Sequence, residues 1–202
     1  MKKYLNFVVC TAVIAAMVVP TVHAASAYTV VLGDTMWKIA VKNEIGVSEI
    51  KNANPQVSDP DLIYPGQVLN VPEIDEDVLQ FELEVIRLVN EIRASNGLSE
   101  LKYNWELCRV ARYKSQDMKD KRYFSHTSPT YGSPFKMISD FGLTYRSAGE
   151  NIARGMSSPK TVVDAWMNSS GHRANILNSS YTEIGVGYVA EGNYWTQMFI
   201  RK

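Results

Sequence analysis

The apolar positions of the chain change character along its length. Residues 7–19 form an apolar stretch behind Lys2 and Lys3, closed by Pro20. Residues 28–32 are rich in β-formers, and Gly33 breaks them before Asp34, a natural helix N-cap. The pattern then predicts a helix to about Lys42, with Ile39, Ala40 and, by preference, Trp37 as its core side, the other reading of Trp37 being a platform on which a sugar ring stacks. A second short helix is predicted over 47–54, with Ser48 as cap and Asn54-Pro55 as stop. Pro65-Gly66 reads as a turn and 67–71 as a strand. Farther on, Phe81, Val85, Leu88, Val89 and Ile92 recur at i, i+4, i+7, i+8 and i+11, one apolar stripe of a helix over 78–94 that Asn96-Gly97 ends. Leu107, Val110, Ala111, Ser115 and Met118 line one face of a helix over 104–119. Ser158-Pro159 opens another, with Val162, Val163 and Trp166 buried. Two strands, 184–190 and 194–201, close the chain around Glu191-Gly192-Asn193.

This order divides the chain. Residues 28–72 read β-α-α-β, a unit small enough to have only a marginal core. Residues 73–77, Glu-Ile-Asp-Glu-Asp, read as an acidic linker that also suits the first turn of the following helix. Residues 78–202 carry helices and then strands without βαβ alternation, so the fold class is α+β. No segment repeats another.

Composition narrows the function. Lys plus Arg and Asp plus Glu both number 21, so the formal charge is zero, against the basic excess of a nucleic-acid binder. A hydrophobic share of 46% supports packed cores. With only Cys10 and Cys108, a zinc ribbon or disulfide scaffold is excluded. The N-terminal pattern, a basic start, an apolar stretch and the small residues around Ala24 to Ala27, describes a secretory signal peptide over 1–27, cleaved after Ala24 or Ala27. Cleavage removes Cys10 and His23 and leaves no membrane-spanning segment. Cys108 then reads as a buried small hydrophobe, and histidine chemistry rests on His126 and His172.

Three separated blocks of 28–72 resemble a LysM domain: Tyr-Thr-Val-Val-Leu-Gly-Asp-Thr-Met-Trp-Lys-Ile-Ala, Asn-Ala-Asn-Pro, and Leu-Ile-Tyr-Pro-Gly-Gln-x-Leu-x-Val-Pro. The resemblance implies binding to N-acetylglucosamine-containing glycans, chiefly peptidoglycan. The groove would lie between two loops, here Gly33, Asp34, Thr35 and Met36 with Asp61, Leu62, Ile63 and Tyr64.

Four blocks of 78–202 resemble the CAP superfamily of cysteine-rich secretory, antigen 5 and pathogenesis-related 1 proteins. They are Tyr123-Phe-Ser-His126-Thr-Ser-Pro129, Gly149-Glu150-Asn151-Ile-Ala153, the run from Ala165 through His172 to Leu177, and Thr182 to Gly187 running into Tyr194 to Phe199. The match is to the bacterial branch, which lacks disulfides. It implies an α-β-α sandwich with a cleft, and carries His126, Glu150 and His172 onto that cleft, each beside a turn or helix boundary. The family's second cleft carboxylate has no counterpart: Ser169 or Ser170 stands there, and Glu183 is the nearest other acid in sequence. Two His and a Glu have the chemistry of zinc ligands, of general acid–base catalysts, or of a hydrogen-bonded binding cluster. The missing carboxylate and the lack of an evident nucleophile favour a binding or assembly protein of the wall, envelope or spore coat. The alternative is a wall or protein hydrolase using the same three residues. The CAP ligand is not legible.

Overall fold

A computed structural model describes residues 25–202. The leader, with Cys10 and His23, lies outside the described residues.

The first unit has the predicted order. β1 (Ala25–Thr29) pairs antiparallel with β2 (Val68–Pro72), from Ala25 opposite Pro72 to Thr29 opposite Val68. Between them run α1 (Met36–Lys42) and α2 (Val47–Ala53). β1 thus begins three residues before position 28 and ends before 32. Both expected caps move by a residue or two. Thr35 caps α1, accepting from the Lys38 N–H at 3.1 Å. Asp34 instead braces the loop, accepting from the Val31 N–H and the Tyr28 hydroxyl, both at 2.9 Å. Gly46 is the cap residue of α2, while the Ser48 hydroxyl donates to Glu49. Trp37 is the larger correction. In a helix of seven residues only one stripe faces inward, and Met36, Ile39 and Ala40 at i, i+3 and i+4 fill it. Trp37, one position round, is 65% exposed. Buried Asn54 ties α2 to β2: its amide donates to Ile50 and Asn70 carbonyls and its Oδ1 accepts from the Asn70 N–H.

The second unit starts with α3 (Glu76–Ser95), so Glu76 and Asp77 of the acidic run lie in its first turn, behind an Asp75 cap. It continues with β3 (Lys102–Tyr103), α4 (Trp105–Asp120), α5 (Pro134–Asp140), β4 (Ser147–Arg154), α6 (Pro159–Met167), α7 (Ser170–Ile176), β5 (Glu183–Val189) and β6 (Tyr194–Arg201). The sheet order is β3-β5-β6-β4, antiparallel except for the β3–β5 pair. Alternation along β6 assigns the layers. Met198 and Ile200 pack with Leu107, Val110 and Ala111 of α4 and with Met137 and Ile138 of α5. Trp195 and Phe199 pack with Val85 and Val89 of α3, Val162 and Trp166 of α6, and Ile176 of α7. Helices on both faces of one sheet make the expected α-β-α sandwich.

Two features set how tightly it closes. A Cβ on Gly187 would stand 2.1 Å from the Arg112 backbone nitrogen, so α4 rests directly on β5. And β3 ends early, leaving the outer edge of β5 without a strand partner. Side chains take over there: the Val186 N–H donates to Cys108 Sγ at 3.3 Å and the Tyr188 N–H to Glu82 Oε1 at 3.0 Å. Buried Glu82 also pairs with Arg112 at 2.5 Å. Burial pushes its carboxyl up to about 7, against the pull of Arg112.

Candidate functional site

The polar site forms around β4, the edge strand. His126 lies in the loop between α4 and α5. That loop is held from below by two polar residues on the buried face of α4. The Lys114 ammonium, itself fully buried, donates to the Ser125 carbonyl at 2.7 Å, the His126 carbonyl at 2.9 Å and the Tyr123 hydroxyl at 3.1 Å. Asp117 accepts from Tyr123, Ser128 and Thr130 hydroxyls at 2.5–2.6 Å. One cation and one anion, three positions apart on a helix, thus fix the backbone that carries His126.

Glu150 lies within β4, opposite Met198, and not at a turn. Its Oε1 meets His126 Nδ1 at 2.7 Å. Its other oxygen, Oε2, is buried and has no hydrogen-bond partner in the protein. Burial raises the Glu150 carboxyl, with His126 and Lys114 pulling the other way. The hydrogen bond to Glu150 raises His126 above the ordinary imidazole range, more than its partial burial lowers it. His172 is the third residue of α7, inside the helix and not at its boundary. Burial lowers its imidazole, and the charge of His126 lowers it further. α7 is fastened to β4 by amides. Asn151 donates to the His172 carbonyl at 3.1 Å, and Asn175 to the Glu150 carbonyl at 3.2 Å and to Asn151 Oδ1 at 2.8 Å.

The structure therefore joins His126 directly to Glu150, and the α7–β4 contacts fasten the helix that carries His172 to the strand that carries Glu150. Among the described residues no group of three or more His, Cys, Asp or Glu side chains could hold a metal ion, and one Glu150 oxygen is already engaged by His126. The fourth position is resolved as well. Ser169 is the cap residue of α7 and Ser170 its first residue. Glu183 lies on β5, separated from β4 by β6, where it accepts from Asn104 at 2.5 Å. Cys108 is buried, its thiol pushed up to about 12 by burial, and is no nucleophile.

Sequence reading missed Lys114, Asp117, Asn151 and Asn175. A signal for the first two existed: both are polar residues on the face of α4 that Val110, Ala111 and Met118 define as inward.

The two loops of the first unit are tied together at one end of its sheet. The Gly66 N–H donates to the Val30 carbonyl at 2.8 Å, and Val30 N–H to the Gln67 carbonyl at 2.9 Å. Gly33 takes a left-handed backbone, φ 90°, and its carbonyl accepts from Lys38 Nζ at 2.7 Å. Of the eight residues expected to meet glycan, Met36 is a correction: it is buried in the small core, and its side chain cannot reach a ligand. Ile63 packs against the same core. Thr35 Oγ1 accepts from the first turn of α1, and Asp34 accepts both of its hydrogen bonds at Oδ2. Leu62 and Tyr64 stand exposed, as does Asp61.

Comparison with known proteins agrees with both units. Residues 86–199 match the cysteine-rich secretory protein family, CAP, and residues 28–72 match the LysM domain. The uncharacterized protein YkwD of Bacillus subtilis is 57% identical over 125 residues, 62% of this chain and 49% of that protein. The N-acetylmuramoyl-L-alanine amidase sle1 of Staphylococcus epidermidis is 34% identical over 70 residues, 35% of this chain and 21% of that protein. A solved extracellular protein containing an SCP domain, from Bacillus anthracis, has 35% identity and a TM-score of 0.60, covering 68% of this chain and 47% of that one. The chain thus spans about half the length of the first two of the relatives it matches well, YkwD and the SCP-domain protein. Among the described residues no helix is long and apolar enough to cross a membrane. The chain belongs to the CAP family and carries a LysM domain, a peptidoglycan-binding type of module, ahead of its CAP domain.

Proposed function

We propose that this is an exported, wall-associated binding protein. Its LysM loops hold an N-acetylglucosamine glycan, and its CAP cleft holds a second ligand at the exposed His126 ring that buried Glu150 orients. The observation that carries the cleft reading is the His126–Glu150 pair: a buried carboxylate holds an imidazole that is itself half exposed. The bond to Glu150 orients the ring and favours its charged form, so a hydrogen-bonding or anionic ligand group is the chemistry that suits it. The glycan reading rests on the LysM match and on the cross-tied loops. These present the Gly33 backbone together with exposed Leu62 and Tyr64, which offer apolar area to sugar rings and leave acetamido groups to main-chain donors and acceptors. Export is supported by the basic and apolar leader. The layer, vegetative wall or spore coat, is read by fractionation.

The test is co-sedimentation with insoluble peptidoglycan. The chain should pellet weakly but saturably, and the double variant Leu62→Asp/Tyr64→Asp should lose most of that binding with its melting curve unchanged. Equal pelleting by the variant overturns the glycan assignment. Release of soluble fragments from the wall by the wild type, abolished in Glu150→Gln, would replace the binding reading with a hydrolase.

A further inference from the structure

The LysM and CAP domains touch through polar groups that neither the glycan loops nor the cleft uses. On the LysM side the contact is the α1–α2 turn and the start of α2. On the CAP side it is β3 and the exposed face of α4. Arg109 of α4 reaches Glu49 with two hydrogen bonds, Nε to Oε1 at 2.5 Å and Nη2 to Oε2 at 3.0 Å, and Nη2 also meets the Ser48 hydroxyl at 3.0 Å. Tyr103 of β3 donates its hydroxyl to Glu44 at 2.6 Å. Both members of the Arg109–Glu49 pair are about four-fifths buried, so the pair is less screened than a surface ion pair.

The fit is also steric. A Cβ on Gly46 would stand 2.3 Å from Arg109 Nη2. The guanidinium therefore lies against bare backbone at the one position of the turn that has no side chain. From the other side it stacks over the rings of Tyr113 and Phe141, 5.4 and 5.0 Å from their centroids. A planar, five-donor guanidinium with two forked bonds and two aromatic faces is oriented in a way a lysine would not be. Glu44 holds a left-handed backbone, φ 53°, uncommon for a residue with a Cβ.

We propose that these contacts form a latch that fixes the LysM domain on the CAP domain in one orientation, so that the two ligand-binding regions move as a rigid pair. The latch grips the LysM domain by the turn at the C-terminal end of α1. The glycan loop 31–35 precedes the N-terminal end of the same helix, which is ~10 Å long by its seven residues. The grip therefore leaves the glycan loops free. The connection between β2 and α3 is only residues 73–75, short enough to keep the two partners near each other when the latch opens, so opening changes orientation and not proximity.

The experiment is backbone 15N relaxation on the chain from Ala25 onward, with rotational correlation times fitted separately to residues 28–72 and 78–201. In the wild type the two values should coincide. In Arg109→Ala the LysM value should fall clearly below the CAP value while chemical shifts in both cores stay in place. Arg109→Lys, which keeps the charge without the fork, should bring the two values only part of the way back together. Gly46→Ala, which wedges the same contact without removing a charge, should separate them again. Different correlation times in the wild type, or a common value that persists in both Arg109→Ala and Gly46→Ala, would overturn the latch. Glycan co-sedimentation is not its readout, so failure of the glycan assignment leaves this result standing.

Discussion

Glu150 gives one carboxylate oxygen to His126, and that hydrogen bond sets the two histidines apart in how they titrate. The Glu150 hydrogen bond favours imidazolium at His126; burial and the charge of His126 oppose it at His172. His172 should lose its proton below the ordinary value of about 6.5 and His126 above it. Between the two, His126 is charged and His172 neutral. The folding contribution of His126 follows the same sign: it is fully present below about 6.5 and lost as pH rises through the raised value. Imidazole Cε1–H NMR shifts across pH 4–9 check this. In Glu150→Gln the His126 midpoint should drop; an unchanged midpoint would break the link. Cys108 offers a second residue-scale test. Read as a small hydrophobe, it should tolerate alanine better than serine. Its Sγ, however, is the acceptor for the buried Val186 N–H where β5 has lost its strand partner. Cys108→Ala should therefore cost about 1–3 kcal/mol, the penalty of an unpaired buried donor. Cys108→Ser keeps an acceptor there and can donate its proton to the Asn104 carbonyl one turn back, so it should cost less, as urea melts of the two variants would report. That His126 and Glu150 meet was legible because each sits in a dense local motif. Met36 and Trp37 exchanged places because a seven-residue helix offers too few turns to phase its inward stripe.

At the scale of elements, α3, α4 and α6 were legible from periodicity and caps, and β5 and β6 from their shared turn. β4 was not. Its eight residues, Ser-Ala-Gly-Glu-Asn-Ile-Ala-Arg, carry polar side chains to both buried faces, so no alternation marks them as a strand. α5 and α7 are seven residues each, shorter than the window in which a helical period shows. α7 is held by something no local pattern contains: Arg93, buried on α3, donates to the Ile176 and Asn178 carbonyls at 2.7 and 2.9 Å, and to Ser99 at 2.9 Å. Its guanidinium serves the last carbonyl of α7 and the turn after it, groups that a helix end leaves without partners. Arg93→Ala should destabilise the CAP domain by about 3 kcal/mol or more, since it empties the site and strands three acceptors. For a domain of this size that lowers the melting temperature by roughly 6–12 °C. Hydrogen exchange should quicken selectively across residues 170–178, bringing His172 with it. Uniform exchange over the whole domain would mean that Arg93 is packing alone. Arg93→Lys, with one point charge in place of a fork, should recover only part of the loss.

At the scale of the molecule, the order LysM then CAP was legible in sequence, because each domain's blocks are local. The Arg109–Glu49 contact was not, since its partners are 60 positions apart and carry no mark that distinguishes them from solvated charges. The N-terminal boundary is where the fold decides between two readings that the sequence leaves equal. Cleavage after Ala24 keeps all of β1. Cleavage after Ala27 removes Ala25, Ser26 and Ala27, which pair with Pro72, Val71 and Asn70. Only Tyr28 and Thr29 would then remain on a two-stranded sheet that has no third strand to support it. The LysM core is small, built on residues such as Ile39, Ile50, Leu69 and Val71, and has no disulfide to compensate. The lost residues are themselves exposed, so the penalty is mainly backbone hydrogen bonding, about 1–3 kcal/mol for the ladder bonds involved. A domain this size has little stability beyond that to lose. We therefore expect the exported protein to begin at Ala25, as intact-mass measurement of culture or wall fractions would report. A chain started at Tyr28 should show an earlier LysM transition, followed by Trp37 fluorescence in a variant with the other three tryptophans replaced by Phe. An exported N-terminus at Tyr28 with an unshifted LysM transition would mean that the first three β1 pairs add nothing to the domain.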